Sequence, residues 1–210
     1  DRRTDIKERA KARPKKFAPG GQSTQMIVGA DASSDRDIIS TSATLYTGYK
    51  LRRVYYSAFS PIQDSSADLP IIRPPLMREH RLYQADWLMR FYGFEQEEIF
   101  EARRDGMLDL EIDPKLAWAL ERRERFPVDV NRASREDLLR VPGFGTKTVH
   151  RILTARRHTH LRLEHVAKIV RSLKASRDFI QTIDWHPART LDITDLRSRF
   201  LPKPVQLELL

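Results

Sequence analysis

The residues best suited to chemistry lie in the run Val141-Pro-Gly-Phe-Gly-Thr-Lys-Thr-Val-His-Arg-Ile-Leu153. Gly143 and Gly145 carry no side chain to keep a ligand from the backbone, and they tolerate turn conformations that other residues resist. Ser134 is placed to cap a short helix ahead of them, with Asp137 at the third helical position returning the bond. Leu138, Leu139 and Val141 give that helix an apolar face, and Pro142 forbids its continuation. Thr146 starts a second helix bearing Val149, Ile152 and Leu153. The amides of Gly143, Gly145, Thr146 and Lys147 then stand at or before a helix N-terminus, a place that attracts anions. Lys147 adds a full charge in the first turn, and Arg151, Arg156 and Arg157 extend the basic face. Phe144, between the glycines, is expected to plug the turn into the helix pair. Nothing here aims a planar donor fork at base edges, so the expected chemistry is capture of a nucleic-acid backbone without reading of sequence. The candidate binding residues are Gly143, Phe144, Gly145, Thr146, Lys147, Thr148, Arg151, Arg156 and Arg157.

Charge supports that expectation. The 210 residues carry a formal net charge of +9, unevenly spread. Residues 121–174 hold 14 Lys/Arg against six acids and residues 1–16 hold eight against three, whereas residues 17–120 hold 11 against 15. Clustered positive charge is the footprint of a polyanion binder. There is no cysteine, which excludes disulfides, zinc–thiolate sites and cysteine-held iron–sulfur clusters within this chain. His158, His160 and His165 fit no zinc spacing and read as surface or phosphate-side residues. No apolar run is long enough to span a bilayer, and the Asp-Arg-Arg start shows no signal peptide. A cytoplasmic location with no membrane partner is expected. The start with Asp rather than Met suggests a piece of something longer.

The elements that must position these residues read as α+β. Residues 1–20 form a basic helix and linker. Residues 24–30 are a short apolar run bounded by Ser and Gly, expected as a buried strand. Ser34 opens a helix with Asp35 and Asp37 in its first turn, running through Ile38, Ile39, Leu45 and Tyr46 to Gly48. Residues 51–59, rich in Val and aromatics, form a second strand. The short connections make a β-α-β unit with parallel pairing. After a proline-rich loop the chain turns helical. Residues 76–92 place Leu82, Trp87, Leu88, Phe91 and Tyr92 on an apolar face; a short helix is expected over 95–103, another from Pro114 to about Phe126, and one over 161–173. The expected divisions are 1–20, 21–62, 63–126, 127–175 and a C-terminal tail, 176–210. Tyr55, Tyr56, Tyr83, Trp87 and Tyr92 invite a reading as base-stacking surfaces; helical spacing favours a core position for Trp87 and leaves the tyrosines open.

The Gly-x-Gly turn between two helix signals, with its Val130-Asn-Arg-Ala133 lead-in and Leu138, resembles the helix-hairpin-helix modules of bacterial DNA-uptake and repair proteins. That resemblance implies a monovalent cation, K+ or Na+, on the carbonyls of Leu139, Val141 and Phe144. The segments 17–30, 54–62 and 78–94 resemble the radical SAM proteins associated with DNA modification and repair, often encoded beside a uracil-DNA-glycosylase-like protein, which the resemblance makes a candidate partner. It implies that this chain is the C-terminal half, that residues 21–62 are the last units of a partial (βα) barrel, and that the cysteines for the [4Fe-4S] cluster lie elsewhere. Met26, Val28, Gly29, Ala30, Tyr55, Tyr56 and Ser57 would then form one wall of the S-adenosylmethionine pocket; Asp31 is the nearest candidate for the acid that often closes the first of these strands. Whether the chain is an enzyme is left open, since without the cysteines it has no cluster and no radical chemistry alone.

Two other classes compete. The run 141–149 matches the hairpin of bifunctional DNA glycosylases of the endonuclease III type, in which Lys147 would be the Schiff-base nucleophile. That family's following Asp is missing, for position 165 is His and the nearest acid is Glu164. A non-enzymatic protein-interaction domain is the third reading.

Overall fold

The computed structural model describes residues 18–63, 66–101 and 105–201. The charged segment 1–16 and the end of the helix expected over 95–103 lie outside the described residues.

Strands β1 (Ser23–Val28) and β2 (Arg53–Ala58) pair in parallel, Met26 facing Tyr56 and Val28 facing Ala58. Helix α1 (Asp35–Thr47) joins them. It forms there because Ser34 caps it reciprocally: the Ser34 hydroxyl accepts the Asp37 amide at 3.2 Å while the Asp37 carboxylate accepts the Ser34 amide at 2.9 Å. Ile38 and Ile39 then fall on one buried face. The expected β-α-β unit is present, but β1 is not a buried strand. Only its inner face is covered: Val28 is fully buried, while Ile27 stays about half exposed. Side chains alternate across a strand, and helices lie on one side only.

Helix α2 (Leu76–Tyr92) follows and ends at Gly93, whose φ of +70° provides the left-handed cap. Its buried stripe is Leu82, Ala85 and Leu88. Trp87 and Phe91, expected in the core, lie on the flank of that stripe, half exposed at 49% and 50%. Helix α3 (Gln96–Phe100) leads to α4 (Pro114–Glu121). Asp113 caps α4 by accepting the amides of Lys115 at 3.1 Å and Leu116 at 3.0 Å, and Pro114 suits its first turn. The helix stops at Glu121, short of Phe126, and a 3-10 turn at Arg123–Arg125 takes over. Trp118 is buried from α4 edge-on against Phe94 and Phe126.

The basic block comprises α5 (Arg135–Arg140), α6 (Thr146–Ala155) and α7 (Leu163–Ile169), the last shorter than expected. Strand β3 (Val128–Asp129) ahead of α5 pairs in parallel with β4 (Ile180–Gln181) after α7, closing the block at its base. Buried apolar residues form one connected cluster from Val28 to Leu196. The architecture among the described residues is mixed α+β: seven α-helices and two small parallel sheets. The segment expected as a tail packs up to Leu201. Leu191 and Leu196 are buried, and Arg197 reaches Asp109 at 2.9 Å and also pairs with Glu111. No described helix is long and apolar enough to cross a membrane.

Candidate nucleic-acid interface

The turn between α5 and α6 is set by bonds on both sides. Ser134 accepts the Asp137 amide at 3.0 Å, and its hydroxyl donates to the Asp137 carboxylate at 2.7 Å. The return bond therefore ends on the Ser134 hydroxyl rather than on its amide as expected. Upstream, the Asn131 side chain clamps the Leu161 backbone from both ends, accepting its amide at 2.7 Å and donating to its carbonyl at 3.1 Å. The lead-in loop is thus tied to the chain that leaves α6.

Within the turn, the Phe144 amide donates to the Val141 carbonyl at 3.1 Å, and the Phe144 ring is buried as expected. The two glycines differ. Gly143 sits at φ +79°, and a Cβ there would lie 3.3 Å from the Ala175 Cβ. Gly145 is extended, at φ −95° and ψ 169°, and a Cβ there would meet only the Tyr92 hydroxyl at 3.5 Å. Only Gly143 is required by conformation.

Helix α6, ten residues long, begins with no side-chain cap, unlike α1, α4 and α5. Helices leave their first amides without internal partners; those of Thr146 and Lys147 find no acceptor in the described fold. The exposed Lys147 and Arg151 line a shallow concavity of about 310 Å³ with Thr146 and His150. Thr148 is half-buried and Arg157 exposed. Arg156 does not join this face. Its guanidinium turns inward to the carbonyls of Ala133 at 2.8 Å and Val130 at 3.2 Å, so it fastens the lead-in loop.

Two of the three carbonyls named for a monovalent cation have partners in the fold. Val141 O takes the Phe144 amide, and Phe144 O takes the ammonium of Lys115, with Nζ at 2.5 Å. Lys115 is 5% exposed, and its Nζ also lies 4.8 Å from the Tyr92 ring centre, within cation–π range. Burial pushes its pKa from 10.5 down to about 7, against the raising influence of Asp113 and with a smaller lowering contribution from Arg140. The Lys115 nitrogen thus stands on one of the carbonyls where the bound ion was expected. Sequence reasoning missed Lys115. Its signal was a lysine in the first turn of a helix whose neighbouring positions are Leu, Ala and Trp.

Further bonds hold the turn to the preceding helices. Arg140, at the end of α5, grips Glu98 at 2.9 and 3.1 Å, donates to the Gly93 carbonyl at 3.1 Å and covers the Phe94 ring at 4.5 Å. Bidentate pairs of this kind fix geometry as well as charge.

The histidines divide. His158 and His160 are exposed. His165 Nδ1 accepts the Arg162 amide at 3.1 Å, a local role at the start of α7. No group of His, Cys, Asp or Glu among the described residues could hold a metal ion.

The residues expected along the S-adenosylmethionine wall fall on two faces of the β1–β2 pair. Val28 and Tyr56 point into the core, where the Tyr56 hydroxyl donates to Ser42 at 2.8 Å; Met26 shares that face, receiving the Ser42 hydroxyl on its sulfur at 3.8 Å. Burial, with the Asp86 charge nearby, raises the Tyr56 pKa well above its usual value. Tyr55 and Ser57 lie on the other face, Tyr55 under the Arg53 guanidinium at 4.7 Å. Gly29, at φ +77°, and Ala30 follow the strand, and Pro74 approaches Gly29 so closely that a Cβ would lie 2.8 Å from it. Asp31 accepts the Ser33 amide at 2.9 Å, which lowers its pKa, and borders a cavity of about 250 Å³ with Met26, Ile27 and Asp37. Five of the seven residues thus divide between the two faces, Met26, Val28 and Tyr56 on the covered one and Tyr55 and Ser57 on the other, while Gly29 and Ala30 stand at the strand end.

Comparison with protein-family models, with curated proteins and with solved structures returned no match.

Proposed function

We propose that this chain holds the sugar-phosphate backbone of DNA, without reading its sequence, on the turn between α5 and α6, acting as a helix-hairpin-helix module. One observation carries the proposal: α6 starts without a side-chain cap directly after Gly143-Phe-Gly145, with Lys147 exposed beside it. Free amides at a helix N-terminus and an adjacent lysine form a ready anion site. Arg151 and Arg157 extend it, while Arg156 is withdrawn from the set.

Titration of labelled chain with a short mixed-sequence duplex tests the proposal. The amides of residues 143–147 should shift, and log K should fall by about 0.9 per log unit of salt for each phosphate contact. Unmoved amides would remove the proposal. A steep shift elsewhere with a flat salt profile would instead favour docking on a protein, such as a uracil-DNA-glycosylase-like partner. That second reading has the exposed Ile71 and Ile72 of the loop before α2 in its favour.

The larger assignment, to a radical SAM protein of DNA modification or repair, stays within this proposal. The residues present do not fit the iron–sulfur cluster, because the chain has no cysteine to ligate it. For S-adenosylmethionine the candidate wall narrows to residues at the strand ends and on the uncovered face: Gly29, Ala30, Tyr55 and Ser57. Any activity would belong to a longer protein in which another segment covers that face.

A further inference from the structure

We propose that the cavity between α2, the start of α4 and the α5–α6 turn receives a single unstacked nucleobase of the strand whose backbone the turn holds; this rests on the DNA-binding proposal above. The cavity measures about 320 Å³ and is walled by Trp87, Tyr92, Gln84, Asp113 and Lys115 on one side and by residues 143–145 on the other. Its size is that of a site for one small organic ring system.

Four features point to a base rather than to a free anion or an apolar guest. First, Trp87 and Tyr92 supply two aromatic faces at one opening. Trp87 is 49% exposed although it stands beside the buried Leu88 on the same helix, so packing does not account for it. Aromatic faces are the sequence-tolerant means of holding an unstacked base.

Second, unpaired hydrogen-bonding groups of both kinds border the space. Gln84 uses its Oε1 to accept from Arg81 at 2.8 Å, and its amide nitrogen donates to nothing in the described fold. Asp113 uses Oδ1 for the Lys115 and Leu116 amides, and its other oxygen has no hydrogen bond there. A donor and an acceptor are what the edge of a base demands.

Third, the acid opposes use as a plain phosphate pocket. Lys115 is the one ammonium in the wall, it already serves the Phe144 carbonyl, and Asp113 lies two residues away. Fourth, the wall includes the glycines of the turn itself. A phosphate on the amides of α6 and a base in this cavity can therefore belong to one strand, without a second ligand. Drawing a base out of a duplex costs a few kcal/mol, least for a base already unpaired, so the site should favour DNA carrying one.

The experiment compares two short duplexes that differ by one nucleotide with the chain as it is: one fully matched, one with a single bulged 2-aminopurine. The bulged duplex should bind roughly tenfold more tightly, the effect of one base–aromatic stack, and its fluorescence should fall on binding. Trp87→Ala should abolish the preference and leave matched-duplex affinity unchanged, while Trp87→Phe should keep most of it. Equal affinity for both duplexes overturns the inference and leaves backbone binding standing, as does a Trp87→Ala loss shared equally by both. Failure to bind either duplex removes backbone binding and this inference together. The fluorescence of the wild-type complex decides the matter even if Trp87→Ala folds poorly: no change in emission on binding overturns it.

Discussion

Replacing Lys115 by Met keeps an unbranched apolar stem, one atom shorter, but removes the charge from a site that is 5% exposed. The unfolded chain holds that lysine near pKa 10.5, the folded chain near 7. Below about pH 7 both states are protonated, and the full cost of burying the ammonium is present. Between about 7 and 10.5 the unfolded state binds a proton that the folded state lacks, so stability rises with pH by about 1.36 kcal/mol per pH unit. From pH 7, where the folded lysine is half titrated, to pH 9 the wild type should therefore gain about 2.3 kcal/mol on Lys115→Met, which for a chain of this size is roughly 5–9 °C in Tm. Met also leaves the Phe144 carbonyl without its donor, costing about 1–3 kcal/mol, but that offset does not vary with pH. The groups facing Lys115, namely Asp113, Arg140 and Tyr92, are present in both proteins; Tyr92 titrates above this window because burial raises its pKa. Thermal melts of both proteins from pH 6 to 9 give the answer in the slope of the difference. Parallel curves would refute the reasoning, since they would mean that the ammonium loses no hydration on folding. DNA affinity should run the other way. Deprotonation removes a positive charge behind the turn, so binding should weaken over the range in which the fold grows more stable.

Gly143→Ala should cost about 1–2 kcal/mol through its left-handed backbone and its contact with Ala175, whereas Gly145→Ala should melt within about 0.5 kcal/mol of wild type; equal losses in denaturant titration would contradict the conformational difference. Asn131→Ala leaves both backbone groups of Leu161 unpaired and should cost about 1–3 kcal/mol, with hydrogen exchange at the Leu161 amide accelerated. Lys147→Ala should weaken all duplex sequences alike and reduce the salt slope by about 0.9. Because Lys147 is exposed, without the burial that activates an amine, the wild type should give no borohydride-trapped adduct on abasic-site DNA; an adduct lost in Lys147→Ala would establish the glycosylase alternative.

Local signals in the sequence located most of this. Ser34 with Asp37, Pro114 after Asp113, Gly93 after an apolar run and the Pro142-Gly143 break each mark an element boundary that the fold keeps, because caps and breakers act within one turn of the chain. What local signals could not reach was the side of each element that another segment covers. Trp87 shares its helix with Leu82 and Leu88, and periodicity alone placed all three inside; the difference lies in α4 and the β1–β2 pair, which cover one stripe and leave the other bare. Arg156 looked equivalent to Arg157 for the same reason, since the carbonyls that draw it inward come from residues 130 and 133. Lys115 was the furthest from view. A lysine is buried only where a partner 29 residues away accepts its charge, and no spacing rule announces that.

Helix α2 links the two candidate regions in a way that neither would reveal alone. Its first half is bonded to β2, with Glu79 accepting the Ala58 amide at 2.8 Å and Tyr83 the Tyr56 amide at 3.0 Å, and further along Asp86 receives the Tyr46 hydroxyl of α1 at 2.6 Å. Its C-terminal end is tied to α5 through the Gly93 carbonyl on Arg140, and through the Tyr92 ring to Lys115 of α4, which in turn bonds the Phe144 carbonyl of the α5–α6 turn. A 17-residue helix is about 25 Å long at 1.5 Å per residue, and both of its ends are held by side chains rather than by flexible loops. A DNA strand held on the turn as proposed would therefore lie at a fixed distance and bearing from the ends of β1 and β2. Such backbone capture would then suffice to align DNA with whatever those strand ends help to build. Reading of sequence would add nothing to that alignment, which is a physical reason why the proposed turn would offer amides and a lysine and no fork aimed at base edges.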